Sequence, residues 1–242
     1  PAIGLETGSR QVILPSPVRL DAEGISWGNF RVREVKNESV RNTWINNFGE
    51  RKEIPENYNQ ASILLENEDL KVILHCRAYD EGVAFALDFP GQEGIDSLII
   101  NGESISFGFT GDHTAWSANR AQAAYSQVPL SNIHDGCERP LVIEIDTGLT
   151  IALAESKLVD YARMKFKPDT ARYNNVITYL EGTVRKAFPF QTPWRVVMTG
   201  RNAGDLLEKN YLILNLNDPC ALDDVSWIKP GKVLREVTLT TA

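Results

Sequence analysis

Apolar residues recur at every second position through much of the chain. Leu70, Val72, Leu74 and Cys76 alternate with Lys71, Ile73 and His75. Asp80-Glu81-Gly82 follows as a turn, and Val83, Phe85, Leu87 and Phe89 resume the alternation. A glycine-containing turn between two runs of period two predicts a β-hairpin. A second hairpin is plainer. Leu141, Ile143 and Ile145 share one face against Glu144 and Asp146, Thr147-Gly148 turns, and Leu149, Ile151 and Leu153 continue the apolar set. Shorter runs predict strands over Gln11–Leu14, Ser62–Glu66, Ser97–Ile100, Ser104–Phe109, Trp194–Gly200 and Tyr211–Leu216. Helical periodicity is confined to Ala118–Tyr125 and Ala203–Lys209, which are too short to stand without packing. Glycine (17) and proline (12) are spread through the chain rather than gathered in a linker. Many short strands with distributed turns predict an all-β fold: one large sandwich of two packed antiparallel sheets.

Composition narrows the partners. In 242 residues, 25 Lys+Arg against 32 Asp+Glu leave a formal charge of −7, which argues against nucleic acid or an anionic membrane as a partner. At 43% hydrophobic residues the chain can bury a substantial core. No apolar run approaches the roughly 18 residues of a membrane span. Cys76, Cys137 and Cys220 are too few for a disulfide framework, and Cys76, in an apolar run, reads as a small buried hydrophobe. The chain opens at Pro1 without a leader pattern, so a processed form or a cut fragment is expected. Asn37-Glu38-Ser39 matches an N-glycosylation acceptor.

One carboxylate stands out by position. If the second hairpin keeps its register, Glu155 follows Leu149, Ile151 and Leu153 onto the core-facing side, where it needs a partner or a metal. If the strand ends near Ala154, Glu155 turns to solvent; spacing leaves both open. His75, His113 and His134 are too scattered for a metal signature, although His113, in a loop, is a candidate acid or base. No nucleophile elbow, Walker loop or Rossmann fingerprint occurs. Of five tryptophans, Trp44 and above all Trp116 are the candidates for an exposed sugar-stacking platform.

Several segments, in order, carry a resemblance. They are Tyr79-Asp80-Glu81-Gly82-Val83-Ala84-Phe85, Gln122 with Tyr125 before Pro129-Leu130, and Ile151-Ala152-Leu153-Ala154-Glu155 with Asp160-Tyr161. Thr192-Pro193-Trp194-Arg195, Asn215-Leu216-Asn217 and Ser226-Trp227-Ile228-Lys229-Pro230-Gly231-Lys232 complete the set. Together they resemble the N-terminal domain of glycoside hydrolase family 97. The resemblance implies a β-super-sandwich, mutarotase-like in fold, ahead of a catalytic (β/α)8 barrel in an exo-acting α-glucosidase or α-galactosidase. It implies a calcium ion at the active site held partly by a Glu of the N-terminal domain, and Glu155 is the position that fits. Lys157, Asp160 and Tyr161 would share its rim. By the same resemblance the compartment is periplasmic or secreted.

Some positions depart from the family's pattern. Phe85-Ala86-Leu87 replaces the usual Phe-Arg-Tyr, Ser156 replaces Ala, Ala162-Arg163 replaces Pro-Gly, and Leu234–Thr238 replaces a Trp-rich segment. They imply a different subgroup and leave the sugar open. The resemblance places the sandwich at residues 1–226 and a linker with the first barrel strand, Val233–Thr240, at 227–242. Glycoside hydrolysis needs two positioned carboxyl groups, which in this family lie in the barrel, and calcium takes about 6–8 oxygen ligands, so this chain alone is expected to hold an incomplete site and no activity. Two other readings stay in view. A free-standing carbohydrate-binding module would rest on Trp116 or Trp44. An aldose-mutarotase-type isomerase would pair Glu155 with one of the three histidines.

Overall fold

The computed structural model describes residues 1–8, 10–229 and 231. Two antiparallel sheets make up nearly all of it. In the six-stranded sheet β1 (Ala2–Thr7), β2 (Arg10–Ala22), β7 (Ser97–Phe109), β13 (Asn175–Leu180) and β12 (Met164–Pro168) lie in that order, with β14 (Val184–Ala187) also paired to β7. The ten-stranded sheet runs β3 (Arg31–Ile45), β4 (Glu53–Glu66), β5 (Lys71–Tyr79), β6 (Gly82–Phe89), β16 (Trp194–Gly200), β11 (Leu149–Ser156), β10 (Leu141–Asp146), β8 (Thr114–Ser117) and β9 (Ser126–Pro129). A two-residue strand, β15 (Phe190–Gln191), flanks β6. The fold is the all-β sandwich that the alternation predicts.

Both predicted hairpins form. β5 and β6 close at Tyr79↔Gly82, and β10 and β11 pair from Leu141↔Leu153 to Asp146↔Leu149. Gly82 is required twice over. Its φ is +151°, and a Cβ there would sit 2.2 Å from the Val197 carbonyl oxygen of the neighbouring strand. Inward residues of both sheets, including Phe85, Leu87, Leu153 and Val197 from the larger and Val18, Ile105 and Phe107 from the smaller, form one buried cluster. The alternation is the pleat of two sheets packed face to face.

The outer face of the larger sheet carries a second, smaller core. Ala84 and Ala86 of β6 and Ala152 and Ala154 of β11 leave room above Trp194, Val196 and Met198 of β16. Two short helices, α1 (Ala203–Glu208) and α2 (Tyr211–Asn215), fill that room; Leu206, Leu212 and, just beyond α2, Leu216 are buried on the alanines. The Asn202 side chain caps α1 by accepting from the Asp205 N–H at 3.0 Å.

Several predicted elements are corrected. Tyr211–Leu216, read as a strand, is largely α2, because a docking surface of alanines outweighs the weak local preference of six apolar-rich residues. Ala118–Tyr125, read as a helix, is turns, bends and irregular chain, with Gln122 at φ +63°. Ser97–Ile100 and Ser104–Phe109 are one strand, β7. The 15-residue β3 escaped prediction because almost every residue of it is exposed, which erases the alternation. The expected barrel strand Val233–Thr240 lies outside the described residues. Among the described residues no helix is long and apolar enough to cross a membrane.

Candidate functional site: a buried charge ladder at the sandwich rim

The register of β11 decides the fate of Glu155. The strand runs on to Ser156, and Glu155 pairs with Arg195 of β16 on the same inward face as Leu153 and Val197. Its side chain is 4% exposed, so the inward alternative is the one the chain takes. A carboxylate there is tolerable only with partners. Arg195 Nη1 donates to Glu155 Oε2 at 2.7 Å, and Arg195 Nε donates to Oε1 of Glu103 at 2.6 Å. Glu103 belongs to β7, so one guanidinium ties the two sheets together. The Tyr161 hydroxyl donates to the second Glu103 oxygen at 3.0 Å.

The ladder continues outward. Arg139 Nε forms an ion pair with Glu155 Oε1, and Arg139 Nη1 donates to Glu138 at 2.7 Å. Lys165 Nζ reaches the other Glu138 oxygen at 2.6 Å, and Arg163 lies 3.4 Å from it while also pairing with Glu181. The backbone N–H of Met164 is shared between the two Glu155 oxygens at 3.3 and 3.2 Å. Four cations face four carboxylates, so the ladder is electrically closed. Burial works against the Arg195 charge, but the Glu103 charge and hydrogen bond, with Glu155, outweigh it and hold the guanidinium above its ordinary range. Burial first, then the Glu103 charge, pushes the Tyr161 phenol well above its ordinary value, so it stays a donor. Arg195 Nη2 is buried without a partner among the described residues.

The donor set can be tested against calcium. Each Glu155 oxygen already faces one guanidinium and the Met164 N–H, which uses the two lone pairs of each. Among the described residues no three His, Cys, Asp or Glu side chains gather into a metal-sized group. A divalent ion would also sit beside two guanidiniums with no spare negative charge. As arranged in this chain, the residues do not fit a calcium ion.

The other candidates are dispersed. Lys157 pairs with Asp218 and Asp160 with Lys186, each at 2.7 Å, while Tyr161 joins the ladder. His75 lies in register with Ala86, on the opposite face of the sheet from Glu155. There Gln60 donates to Ser62 Oγ at 3.0 Å, Ser62 lies 2.9 Å from His75 Nδ1, and Asp88 lies 3.4 Å from Nε2. Ser62, His75 and Asp88 sit on adjacent strands whose backbone N–H groups serve the ladder hydrogen bonds, so the relay has no free pair of donors to hold an oxyanion. His113 contacts Thr110, its pKa lowered chiefly by burial, and His134 contacts Ser117. None of the three histidines bonds to the ladder, which leaves Glu155 without the acid an isomerase needs.

Trp44 donates its indole N–H to Asn215 Oδ1 at 2.8 Å and so clamps the β3–β4 hairpin onto α2 instead of offering a platform. Trp116 is 37% exposed with its N–H on Glu144. Cys76 is half-buried against the core, Cys137 is buried and Cys220 exposed, all with free thiols. Sequence reasoning missed Glu103, Arg139, Glu138 and Lys165. Arg195 lies in a strand correctly predicted, but its pairing with Glu155 was not read; Glu103 fell in the gap between two runs that are one strand.

Comparison with known proteins bears on the sandwich as a whole. The sequence profile described as "Glycosyl-hydrolase 97 N-terminal" matches residues 3–219. The chain is 24% identical to a retaining alpha-galactosidase of Bacteroides thetaiotaomicron, over 93% of its own length and 39% of the relative's. Its fold superimposes on structures of a glycoside hydrolase family 97 enzyme from Pseudoalteromonas sp. strain K8, in complex with acarbose or with panose, at a TM-score of 0.87 and 28% identity. That match covers 95% of this chain and 37% of the enzyme. A beta-arabinopyranosidase shares the fold at a TM-score of 0.70 and 18% identity. The chain thus spans little more than a third of the relatives it matches.

Proposed function

Because the chain belongs to the glycosyl-hydrolase 97 N-terminal family, we propose that it is the sandwich of an α-glycosidase, a rigid cap that docks on a catalytic (β/α)8 barrel and frames the sugar pocket. The observation that carries this reading is the end-to-end fit: a TM-score of 0.87 over 95% of this chain but only 37% of the enzyme. The retaining alpha-galactosidase among the relatives, and the acarbose and panose complexes, support an α-linked galactoside or oligosaccharide as the substrate class. An exported, periplasmic or secreted setting accords with such a substrate.

The physical task of the cap is positioning. A lip fixed by two packed sheets and an inter-sheet guanidinium loses little freedom when a sugar is held against it, which lowers the entropic cost of orienting the substrate. Among the described residues the ladder offers no acid–base pair: Glu103 and Glu155 are bridged by one guanidinium instead of flanking an open cleft. The 242-residue chain is therefore expected to release no p-nitrophenol from p-nitrophenyl α-galactopyranoside or α-glucopyranoside. Turnover by the purified chain that survives repurification and is abolished by Glu155→Gln would overturn the reading.

A further inference from the structure

Glu155 is met by cations that belong to this chain. We infer that Arg139 is the resident cation of the rim, holding the outer oxygen of Glu155 in place of a metal ion and keeping this chain unresponsive to calcium. Three observations carry it. The Glu155 lone pairs are used by Arg139 Nε, Arg195 Nη1 and the Met164 N–H. The two arginines differ in freedom. The Arg195 side chain is 2% exposed and gripped from the opposite sheet by Glu103, whereas that of Arg139 is 18% exposed and gripped on its far side only by Glu138. Arg139 is therefore the one contact that a competing cation would have to displace. Finally, the ladder's charges already balance, so an added divalent ion beside Arg195 meets repulsion that no free carboxylate offsets.

Removing Arg139 should reverse this. Its loss strips one cation, frees one oxygen of Glu138 and a lone pair of Glu155, and leaves three cations against four carboxylates in the ladder. Two carboxylates, each with a freed acceptor, begin to suit a hard divalent ion. The inference does not depend on the glycosidase reading, because it concerns only which cation sits on Glu155. Its failure would leave family membership and the sandwich untouched.

The test is thermal unfolding of the full 242-residue chain in EDTA and in 5 mM calcium chloride, with calorimetric titration of calcium alone. A site of Kd about 50 µM would raise the midpoint by about 5–10 °C at that concentration. Wild type is expected to move by less than about 1 °C, within which mass action allows no site of useful affinity. Arg139→Met should melt lower in EDTA and regain part of the loss in calcium, and Arg139→Met combined with Glu155→Gln should lose that response. Calcium stabilisation of wild type that disappears in Glu155→Gln would overturn the inference, because a metal would then reach Glu155 past Arg139. So would an Arg139→Met chain that folds and ignores calcium. Should Arg139→Met not fold, Arg139→Lys, which keeps the charge but lacks the planar fork, is expected to show a partial calcium response; indifference equal to wild type would be equally fatal.

Discussion

Arg195 holds two carboxylates from two sheets with one guanidinium, and the consequence of removing it can be sized. Arg195→Met would leave Glu103 and Glu155 buried, like-charged and short of donors. Breaking a buried pair in this way costs about 3–5 kcal/mol, so urea unfolding should show a loss of that order. Tyr161→Phe probes the same ladder more gently. It removes a hydroxyl that donates to Glu103, a hydrogen bond to a charged group worth about 1.5–3 kcal/mol, with little change of shape. At this scale the sequence was half legible. Parity alone brought Glu155 inward as one of two open alternatives, since a strand alternates whatever its surroundings. Its partners were hidden: Arg195 lies 40 residues away from Glu155 and 92 from Glu103, and no local pattern encodes a pairing that only the stacking of two sheets creates.

Among the elements, the alanines of β6 and β11 matter for what they leave empty. A bulky residue on that outer face would hold α1 and α2 off the sheet. Ala154→Leu should cost about 1–3 kcal/mol by overpacking, whereas Leu212→Ala, on the buried face of α2, should cost about 2–5 kcal/mol by leaving a cavity. Both are measurable as shifts in the urea midpoint, and helical circular dichroism should fall only where the pair detaches. Gly82→Ala tests the hairpin turn. With a Cβ directed at the Val197 backbone and a positive φ, it should destabilise by more than about 1 kcal/mol, well beyond an ordinary surface change. The two hairpins were readable because local alternation and turn chemistry agree within them. The strand reading of Tyr211–Leu216 failed because the deciding factor, an alanine-lined surface, is assembled from residues far away in sequence. β3 failed for the opposite reason: with both faces exposed, burial imposed no pattern to read.

For the whole molecule, the deciding matter is whether this sandwich recognises sugar unaided. A carbohydrate-binding module needs aromatic rings presented together on a free face. Here Trp44 is spent on Asn215, Trp194 is buried under the helices, and Trp116 stands on β8, between β10 and β9, with its indole bonded to Glu144. The polar groups at the rim are likewise turned on one another. Every carboxylate of the ladder meets a cation of the ladder, and the unpartnered donor, Arg195 Nη2, is buried too deeply to meet a sugar that arrives from solvent. A surface so internally satisfied gains little by exchanging its contacts for sugar hydroxyls, since each new hydrogen bond replaces an existing one. The purified chain is therefore expected to migrate in affinity electrophoresis through soluble starch or galactomannan as it does through plain gel, and Trp116→Ala should migrate identically. Retardation of the wild-type chain that Trp116→Ala abolishes would instead make this sandwich a binding module in its own right, with Trp116 of β8 as its platform.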